Sequence, residues 1–376
     1  MDFSFSEEQT LLRNTVQSFL QDKYDFDTRS KIAKSADGWS REIWTQFAEL
    51  GLLAAPFAEE LGGLGGGAIE TMIVMEEFGR NLVIEPFVET VVLAGGFLQE
   101  AGTDAQKEAH IPGLIGGETV WTFAYAEPQG RYNLADLVTT AKKDGDGYVI
   151  NGYKCVVLGA PWADKLIVSA RTSGGQRDAD GVSLFIVDKN AAGVSTRDYP
   201  TVDGRRASEV TLENVKVGAD AVIGEIGKAL PLIEKITDRA IASLSAEAIG
   251  GMKMLNDATV EYCKTRKQFG VPIGKFQVLQ HRMVDMFMAY EQSVSMTYMV
   301  TLKLDEDDAE RCKAASGAKV QIGKAGRYVG QQAVQLHGGM GMTDELNVGH
   351  YFKRLTMIDT QFGNVDHHLS RYSNAA

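Results

Sequence analysis

Only three cysteines occur in 376 residues, and Cys155, Cys263 and Cys312 lie far apart. That spacing excludes a CxxC metal or redox motif and gives no basis for a disulfide framework. Long apolar runs are missing too: no stretch reaches the ~20 uninterrupted apolar residues that a membrane span requires. The opening MDFSFSEEQ has no basic segment followed by an apolar one, so no secretory leader is expected and the chain reads as cytoplasmic. Positive charge is in deficit, with 38 Lys and Arg against 50 Asp and Glu and a formal net charge of -12. Nucleic-acid binding depends on clustered basic residues, so a general nucleic-acid surface is excluded. The acidic run Asp305-Glu306-Asp307-Asp308 reads as a solvated connection between helices, and no metal site is expected.

What is present is ordinary globular material, 44% hydrophobic and 23% charged, long enough for two or three domains. Residues 1–120 read as helices. Ser6 and Gln9 have capping-box spacing, and Leu12, Val16, Phe19 and Leu20 repeat at helical period. A second helix is expected from Ser40, carrying Ile43, Phe47 and Leu50 until Gly51 stops it. The run from Leu61 to Gly67 is too rich in glycine for a helix interior and predicts a loop, with the next helix over Ile69 to Phe78.

Residues 121–225 change to short strands. Asp146-Gly147 and Asn151-Gly152 predict hairpins, and strand-like runs cover 166–170, 182–188 and 209–217. A compact antiparallel β-domain follows from these. Residues 226–376 return to helical period over 229–261, 276–304 and 310–335, predicting a four-helix bundle. The fold class is therefore α+β in the order helical domain, β-domain, helical domain.

Two segments carry chemistry. One is Arg266-Lys267-Gln268-Phe269-Gly270-Val271-Pro272-Ile273, followed by Phe276-Gln277 and His281-Arg282-Met283; the other is Gln335-Leu336-His337-Gly338-Gly339-Met340-Gly341-Met342-Thr343. A diphosphate needs backbone N–H groups at a helix terminus or glycine loop, with a fixed cation nearby. Arg supplies a bidentate fork for phosphate oxygens. Gly338 and Gly339 suit the first requirement and Arg266 the second. Alone, a Gly-Gly pair reads as a helix stop and an Arg at a helix end as a solvated charge.

Together the segments resemble the acyl-CoA dehydrogenase signatures R-x-x-F-G-x-P-I-x-x-x-Q and Q-x-x-G-G-x-G-x-x. FSEEQ, ELGLLAAPFAEELGGLGGG, DGDGYVINGYK and ENVKV are similar to the family at their expected places, so the resemblance covers essentially the whole chain. It implies a flavoprotein oxidoreductase with FAD as cofactor, an acyl-CoA substrate, electron-transfer flavoprotein as acceptor, and assembly into a dimer or tetramer. In the family the flavin lies across a subunit boundary. Carried over by motif, Arg266, Gln268, Phe269, Ile273, Phe276, Gln277, Gln335, Leu336, Gly338 and Gly339 would hold the dinucleotide end. Phe123, Ala126, Leu158 and Asn364 would flank the flavin, with Arg131 and Tyr132 near the substrate.

The chain departs from the family on one side of the site. The usual base belongs to a Glu-Gly-Thr motif, and the ungapped match from Gly338 is Phe362-Gly363-Asn364. Phenylalanine cannot accept a proton. The T-E-P-x-x-G-S-D loop appears as Ala126-Glu127-Pro128-Gln129-Gly130-Arg131-Tyr132-Asn133, and K-x-W-I-S/T as Lys154-Cys155-Val156-Val157-Leu158. The losses gather in the ring-and-base half while the half facing a neighbour's dinucleotide keeps its motif residues.

This distribution resembles the small subunit of heteromeric, α2β2-type acyl-CoA dehydrogenases such as those acting on pimeloyl-CoA, whose flavin ring pocket and base come from a homologous partner. A second reading keeps a self-sufficient homo-oligomer with a relocated carboxylate, Asp238 or Glu247, on the first long C-terminal helix. The ungapped alternative position is Ala240, which neither matches. As structural residues, Glu247 would pair with an Arg or Lys of a neighbouring helix and Asp238 would favour a helix start. A third reading is a non-catalytic scaffold of the same fold. The altered segments 126–133 and 154–158 suggest an atypical substrate, a dicarboxyl, aromatic or polycyclic CoA ester, with Arg131 meeting a distal carboxylate or the CoA phosphates.

Overall fold

The computed structural model describes residues 4–375. In chain order its helices begin with α1 (Glu7–Lys23), α2 (Phe26–Lys34), α3 (Arg41–Glu49) and α4 (Ala68–Asn81). A π-helical stretch over Val88–Gly95 runs into α5 (Gly96–Ala101), and α6 (Asp104–Ile115) follows. Then come β1 (Trp121–Ala124), β2 (Thr140–Asp144), β3 (Gly147–Leu158), β4 (Lys165–Arg171), β5 (Val182–Asp188), β6 (Val194–Pro200), β7 (Arg206–Val217) and β8 (Val222–Ile223). The remainder is α7 (Leu230–Thr265), a small hairpin of β9 (Lys267–Gln268) and β10 (Val271–Pro272), then α8 (Gln277–Leu302), α9 (Asp308–His337), α10 (Asn347–Thr360) and α11 (Val365–Asn374). The order is that of a helical region, a β region and a helical bundle. By contact the chain divides into two compact units, one of residues to Lys31, Ala68–Val83 and Ile241 onward, the other of Ile32–Gly67 and Ile84–Ala240.

In the first unit α1 starts as expected: Ser6 Oγ accepts from Gln9 N while Gln9 Oε1 accepts from Ser6 N. Its Arg13 reaches both Glu76 and Glu77 of α4, at 2.9 and 3.4 Å, and Arg80 reaches the same two carboxylates at 2.8 and 3.4 Å. Two cations thus balance two anions in a largely dry interior, where a single unpaired charge would be untenable. Helices α4 and α7 approach closely because glycines face each other's backbones. A Cβ on Gly79 would lie 1.9 Å from Glu247 O, and one on Gly250 would lie 2.0 Å from Glu76 O.

Asp307 caps α9 by accepting from Ala309 N and Glu310 N, so the acidic run serves as connection and cap. Two helices, α10 and α11, lie beyond the last predicted periodic segment, and α11 adds a fifth helix to the expected bundle of four. On α10 the buried face includes Arg354 and Asp359, which interrupt an apolar stripe of Val348, Tyr351, Leu355 and Ile358. On α11 the buried residue is His368, so no apolar period exists to be read.

In the second unit Ser40 caps α3, and Ile43, Trp44 and Phe47 form its buried face. The sheet runs β6-β7-β3-β2-β4-β5-β8, with β1 added beside β4. It is not wholly antiparallel as expected, because β1 pairs β4 in parallel and β2 meets β4 in parallel at Thr140 and Arg171. The predicted hairpin at Asp146-Gly147 shifts by one residue: Asp144 pairs Gly147, leaving Gly145 and Asp146 as the turn, with Gly145 at φ 59°.

Asn151-Gly152 is not a hairpin. It lies inside β3 at a break in register with β7, where Asn151 Oδ1 accepts from Asn214 N at 2.8 Å. Gly152 is required there because a Cβ would fall 2.2 Å from Thr139 Oγ1. The dipeptide accommodates a bulge and a close neighbour, a second use of the same residue types.

Candidate functional site

The first unit holds the segments read as cofactor-facing. Just past α7, Lys267 pairs Pro272 and Gln268 pairs Val271, so Phe269 and Gly270 form a two-residue turn at φ 52° and 82°. Two successive positive φ values match a type I′ hairpin turn, which accounts for a glycine at the second place. Ile273 N donates to Arg266 O and closes the base of the hairpin. Phe269 is 92% exposed, with Phe276 edge-on at 6.2 Å. Arg266 and Gln268 project beside it into solvent, and neither side chain has a hydrogen bond or ion pair among the described residues. Gln277 opens α8, also exposed.

The second segment closes α9. Gly338, at φ 60°, donates its N–H to Gln335 O, and a Cβ on Gly338 or on Gly339 would meet nothing within 4 Å. Leu336 is buried and Gln335 exposed. Tyr262 of α7 packs on His337 of α9 with ring centroids 4.4 Å apart, bringing the two segments side by side. Open glycine backbone, an unpartnered guanidinium and a solvent-facing aromatic ring fit the adenosine-diphosphate end of FAD. This part of the cofactor reading has its donor set in place.

The second unit holds Phe123, Ala126 and Leu158, three of the four residues expected to flank the flavin, and the first holds Asn364. Phe123 is buried in β1 between Phe97 and Tyr125, at 4.8 and 5.1 Å between centroids. Ala126 O accepts from Cys155 N at 2.8 Å, tying the 126–133 loop to β3. The next pair of residues strengthens that tie: Glu127 and Lys154 are both fully buried and 2.7 Å apart. Glu127 also accepts from Val138 N and Thr139 N, and Lys154 Nζ donates to Ser169 Oγ and Tyr125 O. Burial pulls the Lys154 amine down to about 8, opposed by Glu127. Burial pushes the Glu127 carboxyl upward, but Lys154 and the hydrogen bonds outweigh it and hold the group below its ordinary value.

Beyond the pair β3 bulges. Val156 sits at φ 50° and 47% exposed, an unfavourable conformation for a β-branched residue. Leu158 ends the strand half-buried, its carbonyl accepting from Thr122 Oγ1 at 2.6 Å. The strand end therefore offers aliphatic groups where a hydroxyl and an indole would serve a flavin ring, so the donor set fits less well here than at the dinucleotide end. Arg131, at φ 46°, is exposed and Tyr132 half-buried.

Phe362 lies between α10 and α11, 9% exposed and at φ 56°. Asn364 caps α11 by accepting from His367 N. Neither carboxylate considered as a relocated base is free. Glu247, 2% exposed, receives Arg354 Nε and Nη2 at 2.6 Å on its two oxygens, a bidentate pair. Asp238 is fully buried on the same helix and is also engaged. Arg354, Lys319 and His368 escaped sequence reading; the signal for Arg354 was a charged residue on the apolar stripe of α10. Among the described residues there is no group of three His, Cys, Asp or Glu side chains arranged to hold a metal.

Comparison with known proteins agrees with the order of helical, β and helical regions. Residues 6–118, 122–215 and 232–372 match the N-terminal, middle and C-terminal domain models of acyl-CoA dehydrogenase. The chain is 30% identical over 353 residues to the probable acyl-CoA dehydrogenase YngJ of Bacillus subtilis, covering 93% of this chain and 92% of that one. It is 30% identical to CarC of Acetobacterium woodii, a subunit of a caffeyl-CoA reductase–Etf complex, over 93% of each chain. Among solved structures the Tcur3481-Tcur3483 steroid ACAD superposes with a TM-score of 0.88 at 29% identity, over 98% of this chain and 97% of that chain. With all three domains matched in order, the chain belongs to the acyl-CoA dehydrogenase family of FAD-dependent oxidoreductases.

Proposed function

We propose that this chain is the small, flavin-completing subunit of a heteromeric acyl-CoA dehydrogenase, whose flavin ring pocket and catalytic base come from a homologous partner. The observation that carries the reading is Phe362, a buried hydrocarbon side chain at the family's base position, set against an Arg266 hairpin that remains exposed and unpartnered. FAD, when bound, supplies the acceptor for the substrate β-hydride, which no side chain could. This chain's own residues do the holding: Arg266 offers the bidentate cation, Gly338 and Gly339 let phosphate approach the backbone, and Phe269 with Phe276 offers an aromatic face. The β-region residues Phe123, Ala126 and Leu158 supply no hydroxyl donor, and Phe362 supplies no base, so proton abstraction falls to the partner.

The relocated-base reading is weaker. A carboxylate held by two charge-assisted hydrogen bonds from Arg354 is stabilised in its ionised form and is a poor proton acceptor. The two-component name of the Tcur3481-Tcur3483 steroid ACAD supports a heteromer and a polycyclic CoA ester. The naming of CarC as a subunit of an Etf complex supports electron-transfer flavoprotein as acceptor, and its caffeyl-CoA relation supports an aromatic ester over a dicarboxyl one such as pimeloyl-CoA. Arg131 is proposed to meet CoA phosphates, and the cytoplasm is the proposed location. Counting flavin in the purified assembly tests the reading: one flavin for each pair of unlike chains supports it, whereas one per chain in a homo-oligomer sinks it.

A further inference from the structure

The turn that carries Phe362 is more heavily constrained than a lost site requires. Lys319, fully buried in α9, directs Nζ at three carbonyl oxygens: Ile358 at 2.8 Å, Asp359 at 2.9 Å and Gly363 at 2.7 Å. Three carbonyls match the three N–H donors of lysine's ammonium form, which burial confines to pH values up to about 7. The same cation thus closes the C-terminus of α10 and clamps the residue after Phe362. From α11, His368 Nε2 lies 3.0 Å from Phe362 O and Nδ1 lies 3.3 Å from Ser316 Oγ. Because a carbonyl only accepts, the ring is the Nε2–H tautomer.

The backbone between these clamps is strained. Phe362 holds φ 56° and Gly363 φ 119°. A Cβ on Gly363 would fall 2.5 Å from His367 Cδ2 and 2.7 Å from His368 Nε2. A non-glycine residue held at positive φ costs on the order of 1–3 kcal/mol and persists only where its surroundings over-determine it. Here the constraint comes from Lys319, His368 and Gly363, none of which depends on the side chain at 362.

We propose that Lys319 and His368 are positioning residues that hold the Phe362–Gly363 corner in a base-presenting backbone form, so that the turn of a proton-abstraction site survives without its carboxylate. The proposal rests on the reading above, in which Phe362 occupies the base's place. It predicts that Phe362→Glu creates a general base from one substitution. The step needs no oxidant: the carboxylate takes the α-proton of a bound CoA thioester, the electron pair enters the enolate, and return of a solvent proton to the α-carbon completes an exchange.

The experiment uses the full-length chain in its flavin-loaded assembly, prepared with the partner's base carboxylate replaced by its amide so that exchange there does not mask the gain, with phenylacetyl-CoA, whose α-hydrogen is acidified by the ring, in deuterated buffer. Deuterium uptake is read by mass spectrometry. Phe362→Glu should raise exchange by about 100-fold or more over the parent, the contribution typical of a placed general base. Adding Lys319→Met or His368→Leu should return exchange toward the parent level, whereas His368→Gln, which can still donate to Phe362 O, should retain most of it. Circular dichroism melts select the folded variants, and the two His368 substitutions decide the matter should Lys319→Met fail to fold. A folded Phe362→Glu assembly with no gain, or a gain indifferent to His368→Leu, overturns the proposal. The flavin count on the same samples reports separately whether the heteromeric reading has failed.

Discussion

Replacing Glu247 by leucine should cost folding stability rather than chemistry. The substitution removes both 2.6 Å carboxylate acceptors from the Arg354 guanidinium, which is 5% exposed. Breaking one side of a buried pair costs roughly 3–5 kcal/mol, since the surviving ion is desolvated without compensation. Arg354→Leu should cost a similar amount by stranding the carboxylate. The double variant, Glu247→Leu with Arg354→Leu, should recover most of the loss, because two leucines leave no charge behind and a pair replaced by hydrocarbon is often neutral. Urea titration followed by far-UV circular dichroism, with flavin saturating, measures all four species of the cycle. A single-variant loss below ~1 kcal/mol, the value of an exposed pair, would refute the reasoning, as would a double variant no better than the singles. Either result would return Glu247 to the field as a spare buried carboxylate and candidate base.

Arg266→Leu should leave the melting temperature of the flavin-free chain unchanged, since the side chain has no partner among the described residues, yet weaken FAD retention by about 10–100-fold, as expected for losing charged hydrogen bonds of ~1.5–3 kcal/mol; equilibrium dialysis of the assembly measures it. Gly79→Ala forces a methyl to within 1.9 Å of Glu247 O and should destabilise by about 1–3 kcal/mol through displacement of α4 from α7, read from urea midpoints. Burial draws the Lys319 amine down to about 7 from 10.5, with Asp359 opposing, while Arg327 pairs Asp359, and His367 and His368 face the amine from α11. Between those two values the unfolded chain binds the extra proton, so this lysine's contribution makes stability rise with pH through that window. Lys319→Met should flatten the rise in a pH series of melts. His368 acts at the other end: burial first, then Lys319, lowers it to about 3, so its contribution is full above pH 6.5 and is lost as pH falls toward 3.

Most of the fold was legible because its signals are local. Ser6 with Gln9 and Ser40 before Ile43 start helices through side chains within three residues of the bonded backbone, whereas Asp307 was read only as part of a connection and also caps α9. What misled was chemistry with two uses. Asn151-Gly152 has the composition of a hairpin, and only the approach of Thr139 shows that Gly152 serves a bulge. Helices α10 and α11 were missed because their buried faces carry Arg354, Asp359 and His368, whose partners lie far away in sequence. The segment Arg266 to Ile273 stood out through its resemblance to a family signature, whereas the two-strand hairpin it forms was not read. Glu247 with Arg354, Glu127 with Lys154, and the Lys319 clamp join distant segments and leave no periodic trace.

Six non-glycine residues lie at positive φ among those described, Leu82, Arg131, Val156, Asn214, Phe269 and Phe362, and four of the six fall in the segments read as flavin-, substrate- or base-facing. Each is a place where glycine would relax the backbone, so a stability-driven redesign would find its easiest gains at Arg131, Val156, Phe269 and Phe362. Selection acting on stability alone would have taken those gains. The strain therefore serves as a ledger of past selection: a subunit kept only as a scaffold should lose it first, and its presence at Phe269, in the hairpin proposed to hold the dinucleotide, accords with a subunit that still completes a flavin site.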